Sequence, residues 1–155
     1  MKESFTLLLL SLLLFGCYPE GRVFTEHKEL SPDFEWLRDD TRTFEVPIED
    51  SGIAYDLSLS FRYVNGYPFK SAKVKVTETS PSGEVSVDEH VLTVRKDDGS
   101  YIGEAGYDIW DSQHLIVPNK KYPESGTYTY EIEHAMKDDP LNYVMEIGVV
   151  LDMAK

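Results

Sequence analysis

The residues best placed to do chemistry come early. Leu14-Phe15-Gly16-Cys17 sets a small residue directly before the only cysteine of the chain, at the end of the apolar run Phe5–Phe15. A cysteine thiolate is a nucleophile that can accept a diacylglyceryl group, and the arrangement is that of a bacterial lipobox. Cleavage before Cys17 then frees an amine for a further acyl chain. Two or more chains hold a protein stably on a bilayer, whereas one is marginal. As a helix, the eleven residues of the run would span about 16 Å, roughly half of a hydrocarbon core. The run therefore reads as the apolar region of a signal peptide. The expected organisation is a signal peptide over 1–16, a lipidated tether over 17–21 and a single domain over 22–155.

No other segment carries a reaction on its face. His27, His90, His114 and His134 stand nowhere two, three or four residues apart, so no local pair can ligate a metal. There is no G-x-S-x-G, no P-loop and no complete G-x-G-x-x-G. One cysteine leaves no intramolecular disulfide and no multi-cysteine zinc or iron–sulfur site. Acidic pairs recur in turn-like stretches. Of these, Asp97, Asp98, Asp108 and Asp111 could each lend an oxygen to calcium, which needs six to eight convergent ones; solvated turns are the plainer reading. No catalytic residue and no cofactor is expected. The nineteen Phe, Trp and Tyr residues are the remaining resource. Tyr63, Tyr67, Phe69, Tyr107 and Trp110, with Met136, fall in loop-prone stretches and are candidate partner-binding residues, because Tyr and Trp dominate interface anchors. The stretches of interest are Tyr63–Phe69, Tyr107–Trp110 and Ala135–Tyr143.

The elements that must position these residues read as strands. Ala54–Tyr63 puts Tyr55, Leu57, Leu59, Phe61 and Tyr63 on one face and Asp56, Ser58, Ser60 and Arg62 on the other, the period-two pattern of a half-buried strand. Asn65-Gly66 closes it. Lys73–Thr79 and Gly126–His134 alternate likewise, Val85–Arg95 offers two shorter alternations, and Tyr107–Val117 is a further strand candidate. Val144–Leu151 is nearly continuous in apolar residues, as a central strand requires. Val23 and Phe24 begin an edge strand. Ser31-Pro32-Asp33 is read as one helical turn that packs Phe34, Trp36 and Leu37 onto the body. No fifteen-residue window has helical apolar spacing. Seven to nine strands at spacings near ten residues indicate an all-β, antiparallel sandwich, immunoglobulin-like or jelly-roll-like. Gly126-Thr127-Tyr128 has the form of a tyrosine corner, whose hydroxyl bonds back across the preceding loop. The glycines of Gly103-Glu104-Ala105-Gly106 suit a bulge or a close backbone approach.

The charge narrows the partners. With 15 basic and 28 acidic side chains the 155-residue chain carries −13, and removal of residues 1–16 takes one of each sign away. Nucleic acid and a polybasic grip on anionic lipid are excluded as leading ideas, since both need clustered Lys and Arg.

Taken in order, these segments resemble the GldH gliding-motility lipoproteins of Bacteroidota. The lipobox cysteine is followed by Phe44-Glu45-Val46, Tyr55-Asp56-Leu57, Phe61-Arg62 and Tyr67-Pro68-Phe69. Pro81, Gly83 and Asp88 come next, then Gly103–Ile109, Gly126–Ile132, His134–Lys137, Leu141 and Ile147-Gly148-Val149. The resemblance implies a role in the surface motility machinery associated with type IX secretion, or in envelope assembly, with envelope proteins as partners and no catalytic residues to transfer. It implies a lipid-anchored place in the cell envelope, with the periplasmic face of the outer membrane favoured because Tyr18–Gly21 holds a single acid. The competing expectation is a carbohydrate- or calcium-dependent binding sandwich on the same anchor.

Overall fold

The computed structural model describes residues 19–155; the lipidation candidate Cys17 and the apolar run before it lie outside the described residues. Eleven strands follow one another: β1 (Arg22–Glu29), β2 (Glu35–Trp36), β3 (Arg42–Ile48), β4 (Ala54–Val64), β5 (Ser71–Thr79), β6 (Val85–Thr93), β7 (Glu104–Gly106), β8 (Ile109–Lys121), β9 (Gly126–His134), β10 (Leu141–Asn142) and β11 (Val144–Met153). Eight are long, one more than the low end of the expected range and within it. The three short ones, β2, β7 and β10, bring the total above the seven to nine expected. A strand of two or three residues has no period to read, so the sequence does not announce it.

Every pairing is antiparallel. One sheet runs β1-β11-β4-β8-β7, a second β3-β9-β5-β6, and β2 pairs with β10 alone. The eight long strands pair first with last: β1 with β11, β3 with β9, β4 with β8, β5 with β6. That is one long hairpin rolled over on itself, the winding of a jelly roll. The strand order decides between the two sandwich types left open by periodicity.

Local sequence explains most elements. On β4 all five residues of the apolar face are buried, and of the other face only Ser58 joins them. β11 lies between β1 and β4, so both its edges are paired and one of its faces meets the core. Its run Ile147–Leu151 is buried almost throughout. Inner faces of both large sheets feed one cluster, with Leu59, Phe61, Ile147 and Val149 from one side and Phe44, Val74, Tyr130 and Ile132 from the other. Each fully buried side chain of this kind contributes about 1.5–3 kcal/mol relative to exposure. The tyrosine corner is present: the Tyr128 hydroxyl donates to the Glu124 carbonyl over 3.1 Å.

Two expectations need correction. Ser31-Pro32-Asp33 starts a tight turn, with the Phe34 amide donating to the Ser31 carbonyl at 3.1 Å, and no helix follows. Only Trp36 is buried, while Phe34 and Leu37 stay exposed. Trp36 is instead held as strand β2 against β10. The stretch Val85–Arg95 holds one strand, β6, which ends at Thr93, rather than two, because its register with β5 runs unbroken from Thr79↔Val85 to Ser71↔Thr93.

Candidate functional site at the loop end of the sandwich

The long strands end in two sets of connections. One end holds the short turns β3–β4, β5–β6 and β8–β9, and the residues that lead into β1. The other collects the longer segments 30–41, 65–70, 94–108 and 135–143. All three stretches singled out in the sequence sit at this second end. The backbone ties them together: Val64 donates to the Tyr143 carbonyl at 3.0 Å, Asn65 to the Asp108 carbonyl at 2.7 Å, and Val144 to the Phe34 carbonyl at 3.1 Å.

The aromatic residues there form a ladder rather than a surface patch. Ring centroids step from Trp110 to Tyr101 (5.1 Å), Tyr101 to Tyr63 (5.6 Å), Tyr63 to Tyr67 (5.8 Å) and Tyr67 to Phe69 (5.8 Å). Tyr63 and Tyr67 have no exposed surface, which removes both as direct partner contacts. They are core residues, and the loop position of Tyr67 does not keep it outside. Burial pushes the Tyr63 hydroxyl up to about 12, and that hydroxyl donates to the Ile102 carbonyl. Burial raises Tyr67 as well, so both stay protonated phenols. Phe69, Trp110 and Met136 are partly buried against the core. Met136 is spent on local structure: its Sδ accepts from the Lys73 amide, and its carbonyl accepts from the Arg38 guanidinium at 2.8 Å. Arg95 knots the ladder from below, over the Tyr101 ring at 4.4 Å and donating to the Tyr67 carbonyl at 2.6 Å.

Tyr107 is the exception. It is fully exposed, at the tip of the β7–β8 hairpin, with φ +55°. A non-glycine residue in that region costs roughly 1–2 kcal/mol, so the tip is held by its surroundings. Trp110 donates its indole N–H to Asn65 Oδ1 at 3.2 Å, and Asn65 donates to Asp108 Oδ1 at 3.3 Å. At the hairpin base Gly103 has φ +120° and passes so close to β8 that a Cβ would lie 2.3 Å from the Asp111 carbonyl oxygen. This is the close approach anticipated for the glycine-rich segment, and it fixes the hairpin against β8.

The four acids weighed for calcium do not converge. Asp97 pairs with Lys70, Asp98 accepts from Ser100, Asp108 from Asn65, and Asp111 from Arg62. Among the described residues no group of three or more His, Cys, Asp or Glu could hold a metal ion.

Two of the surface concavities bear on the site. The larger, about 620 Å³, lies over the outer face of β1, β11, β4 and β8. Three of its charged groups satisfy one another: Arg62 bridges Asp111 (2.6 Å) and Glu146 (2.8 Å). His27 Nδ1 and Ser60 Oγ are 2.8 Å apart there, but the second ring nitrogen of His27 faces Thr25 Oγ1 at 3.3 Å, not a carboxylate that would orient a catalytic base. The other concavity, about 480 Å³, opens at the loop end between residues 33–34, 68–69 and 138–143. Sequence reasoning places Phe34 on the body and Tyr143 only at the end of the stretch Ala135–Tyr143, and singles out neither for this wall. Their signal is conformational, with φ +60° and +68°, and is invisible in composition.

Comparison with known proteins adds the lineage. The family model described as GldH lipoprotein matches residues 22–151. A gliding motility lipoprotein GldH of Flavobacterium johnsoniae is 33% identical, over 89% of this chain and 84% of the relative. A GldH homolog of Christiangramia forsetii is 26% identical, over 99% and 94%. Among solved structures, a GH115 4-O-methyl-α-glucuronidase aligns at TM-score 0.41 and 11% identity, over 89% of this chain and 18% of that one.

Proposed function

The chain belongs to the GldH lipoprotein family, and from that premise we propose that it is a lipid-anchored envelope protein that serves the gliding-motility and type IX secretion machinery through protein contact rather than turnover. Lipid on Cys17 tethers the end of the sandwich where β1 begins. β1 then runs eight residues, about 26 Å at the usual rise, towards the loop end. The loop end therefore faces away from the anchoring membrane, which is taken to be the outer membrane at its periplasmic face. The partner surface is this far end.

The observation that carries the reading is Tyr107. An aromatic side chain wholly in solvent, on a hairpin whose base is locked by Gly103 and by the Trp110–Asn65 bond, is a pre-ordered anchor of the kind that dominates interfaces. In the larger groove Arg62 is held by Asp111 and Glu146, and the Ser60–His27 pair has no carboxylate to orient its imidazole, which favours contact over turnover.

The test is affinity purification of the lipidated protein from its own envelope, with mass spectrometry of what accompanies it. Tyr107→Ala is expected to lower recovery of the main partner about tenfold or more, the loss of a hot-spot side chain, with an unchanged circular dichroism spectrum. Cys17→Ser is expected to release the chain from the membrane fraction. Undiminished partner recovery with Tyr107→Ala would remove the hairpin from the interface, and membrane retention of Cys17→Ser would remove the anchor.

A further inference from the structure

The concavity at the loop end has a chemistry that protein contact leaves unused. Phe34 and Tyr143 stand at its mouth, 41% and 45% exposed, and both hold left-handed backbone. Ordinary aromatic residues adopt that conformation rarely, and where they do it clusters at binding sites. Tyr143 is set in place by Gly66, whose φ is +96° and whose missing Cβ would sit 3.3 Å from Tyr143 Cε1. Phe34 is set by its carbonyl, which accepts from Val144. Phe69 continues the apolar wall inward and meets the Tyr67 ring edge-to-face.

The polar lining consists of Asp33, Asp138 and Asn142, with no Lys or Arg. Among the described residues neither carboxylate of the acid pair has a hydrogen-bond or ion-pair partner. The Asn142 amide donates only to the Pro140 carbonyl, at 3.2 Å, which leaves its own oxygen and second N–H open. Carboxylates accept and do not donate, so the occupant must bring donors. An anionic occupant is repelled by the two acids. A peptide backbone offers as many carbonyls as N–H groups, and the carboxylates cannot satisfy those carbonyls. A polyhydroxylated ring fits on both counts: its C–H face lies on an aromatic side chain, and its hydroxyls donate to the acids while Asn142 serves a hydroxyl or acetamido group. The volume, about 480 Å³, falls among small-molecule sites of about 300–1,000 Å³.

We propose that the cleft walled by Phe34, Phe69 and Tyr143 and edged by Asp33, Asp138 and Asn142 binds a neutral or N-acetylated pyranose of an envelope or extracellular glycan. This adds a sugar site to the same distal end that presents Tyr107, without depending on the partner of that hairpin.

The experiment is isothermal calorimetry on the full mature lipoprotein in zwitterionic, sugar-free micelles. The probes are cellotetraose, chitotetraose, tetragalacturonate and tetralysine. Heat of binding is expected with cellotetraose or chitotetraose and none with tetragalacturonate. Phe34→Asn and Tyr143→Asn keep a side chain that tolerates left-handed backbone, and each is expected to weaken sugar binding about tenfold or more with an unchanged melting midpoint. Absence of heat from both neutral sugars up to about 5 mM overturns the proposal. So does binding that survives both variants, and so does a response to tetralysine alone, which would make the cleft a cation site.

Discussion

Gly103→Ala separates two consequences of one methyl group. The added Cβ would lie 2.3 Å from the Asp111 carbonyl oxygen and 2.8 Å from its carbon, inside the 3.0 Å that real Cβ atoms essentially never cross, and the backbone sits at φ +120°. Strained backbone of this kind costs about 1–3 kcal/mol, and overpacking against main chain adds about 1–3 kcal/mol more. Against that stands what holds β7 in place. All three of its residues are exposed, and they pair only with Ile109, Trp110 and Asp111. Such a hairpin is worth a few hydrogen bonds at about 0.5–1.5 kcal/mol each, so the strain matches or exceeds the docking. The variant is therefore expected to release the hairpin rather than unfold the sandwich. Hydrogen exchange followed residue by residue is the assay: amides of Glu104–Gly106, and of Ile109–Asp111 only where they face β7 rather than β4, lose protection, while those of β4 and β11 keep theirs. The melting midpoint falls by the hairpin's share, about 3–10 °C for a domain of this size, and partner recovery falls as for Tyr107→Ala. Full protection in β7 with an unmoved midpoint would refute the reasoning, because the methyl would then have found room that the structure denies it.

Two further outcomes follow from the buried polar groups. Tyr128→Phe deletes the 3.1 Å bond to Glu124 and is expected to cost about 0.5–1.5 kcal/mol, read as a lower urea midpoint with an unchanged slope; an unaltered midpoint would mean that the corner contributes nothing. Burial lowers His90, His114 and His134 below the ordinary histidine value near 6.5, and for His134 the approach of Asp139 offsets this only in part. The unfolded chain then binds protons first as the pH falls, so stability is complete above about pH 6.5 and declines from there through the lowered folded values. Thermal melts at pH 7.5 and 5.5 should show the lower midpoint in acid, and a higher one would reverse the sign.

Much of the fold was legible because it obeys a period. The alternation on β4 and the unbroken apolar run of β11 announce which face is buried and which strand is central, since hydrophobic burial is dictated locally by side-chain direction. Gly126-Thr127-Tyr128 declared its corner, and Gly103 its close approach, because each depends on a few adjacent residues. The candidate site was legible only as a neighbourhood. Tyr63–Phe69, Tyr107–Trp110 and Ala135–Tyr143 do meet at one end, yet which of their aromatics face solvent was not readable. Tyr67 and Tyr107 are both tyrosines in loops; one is sealed beneath Phe69 and Arg95, and the other stands clear on a hairpin tip.

By itself the amino-acid order determined the all-β class, the buried faces of the long strands, the excess of negative charge and the membership that its ordered motifs carry. Only tertiary structure decided the jelly-roll winding, the three short strands, the separation of Asp97, Asp98, Asp108 and Asp111 into different pairs, and the cleft beside Phe34 and Tyr143. The physical reason is range. Strand periodicity is written in neighbouring residues, whereas strand order, convergence of loops and left-handed backbone at an aromatic position are settled by contacts between segments far apart in the chain, such as Arg38 with Met136 and Phe34 with Val144.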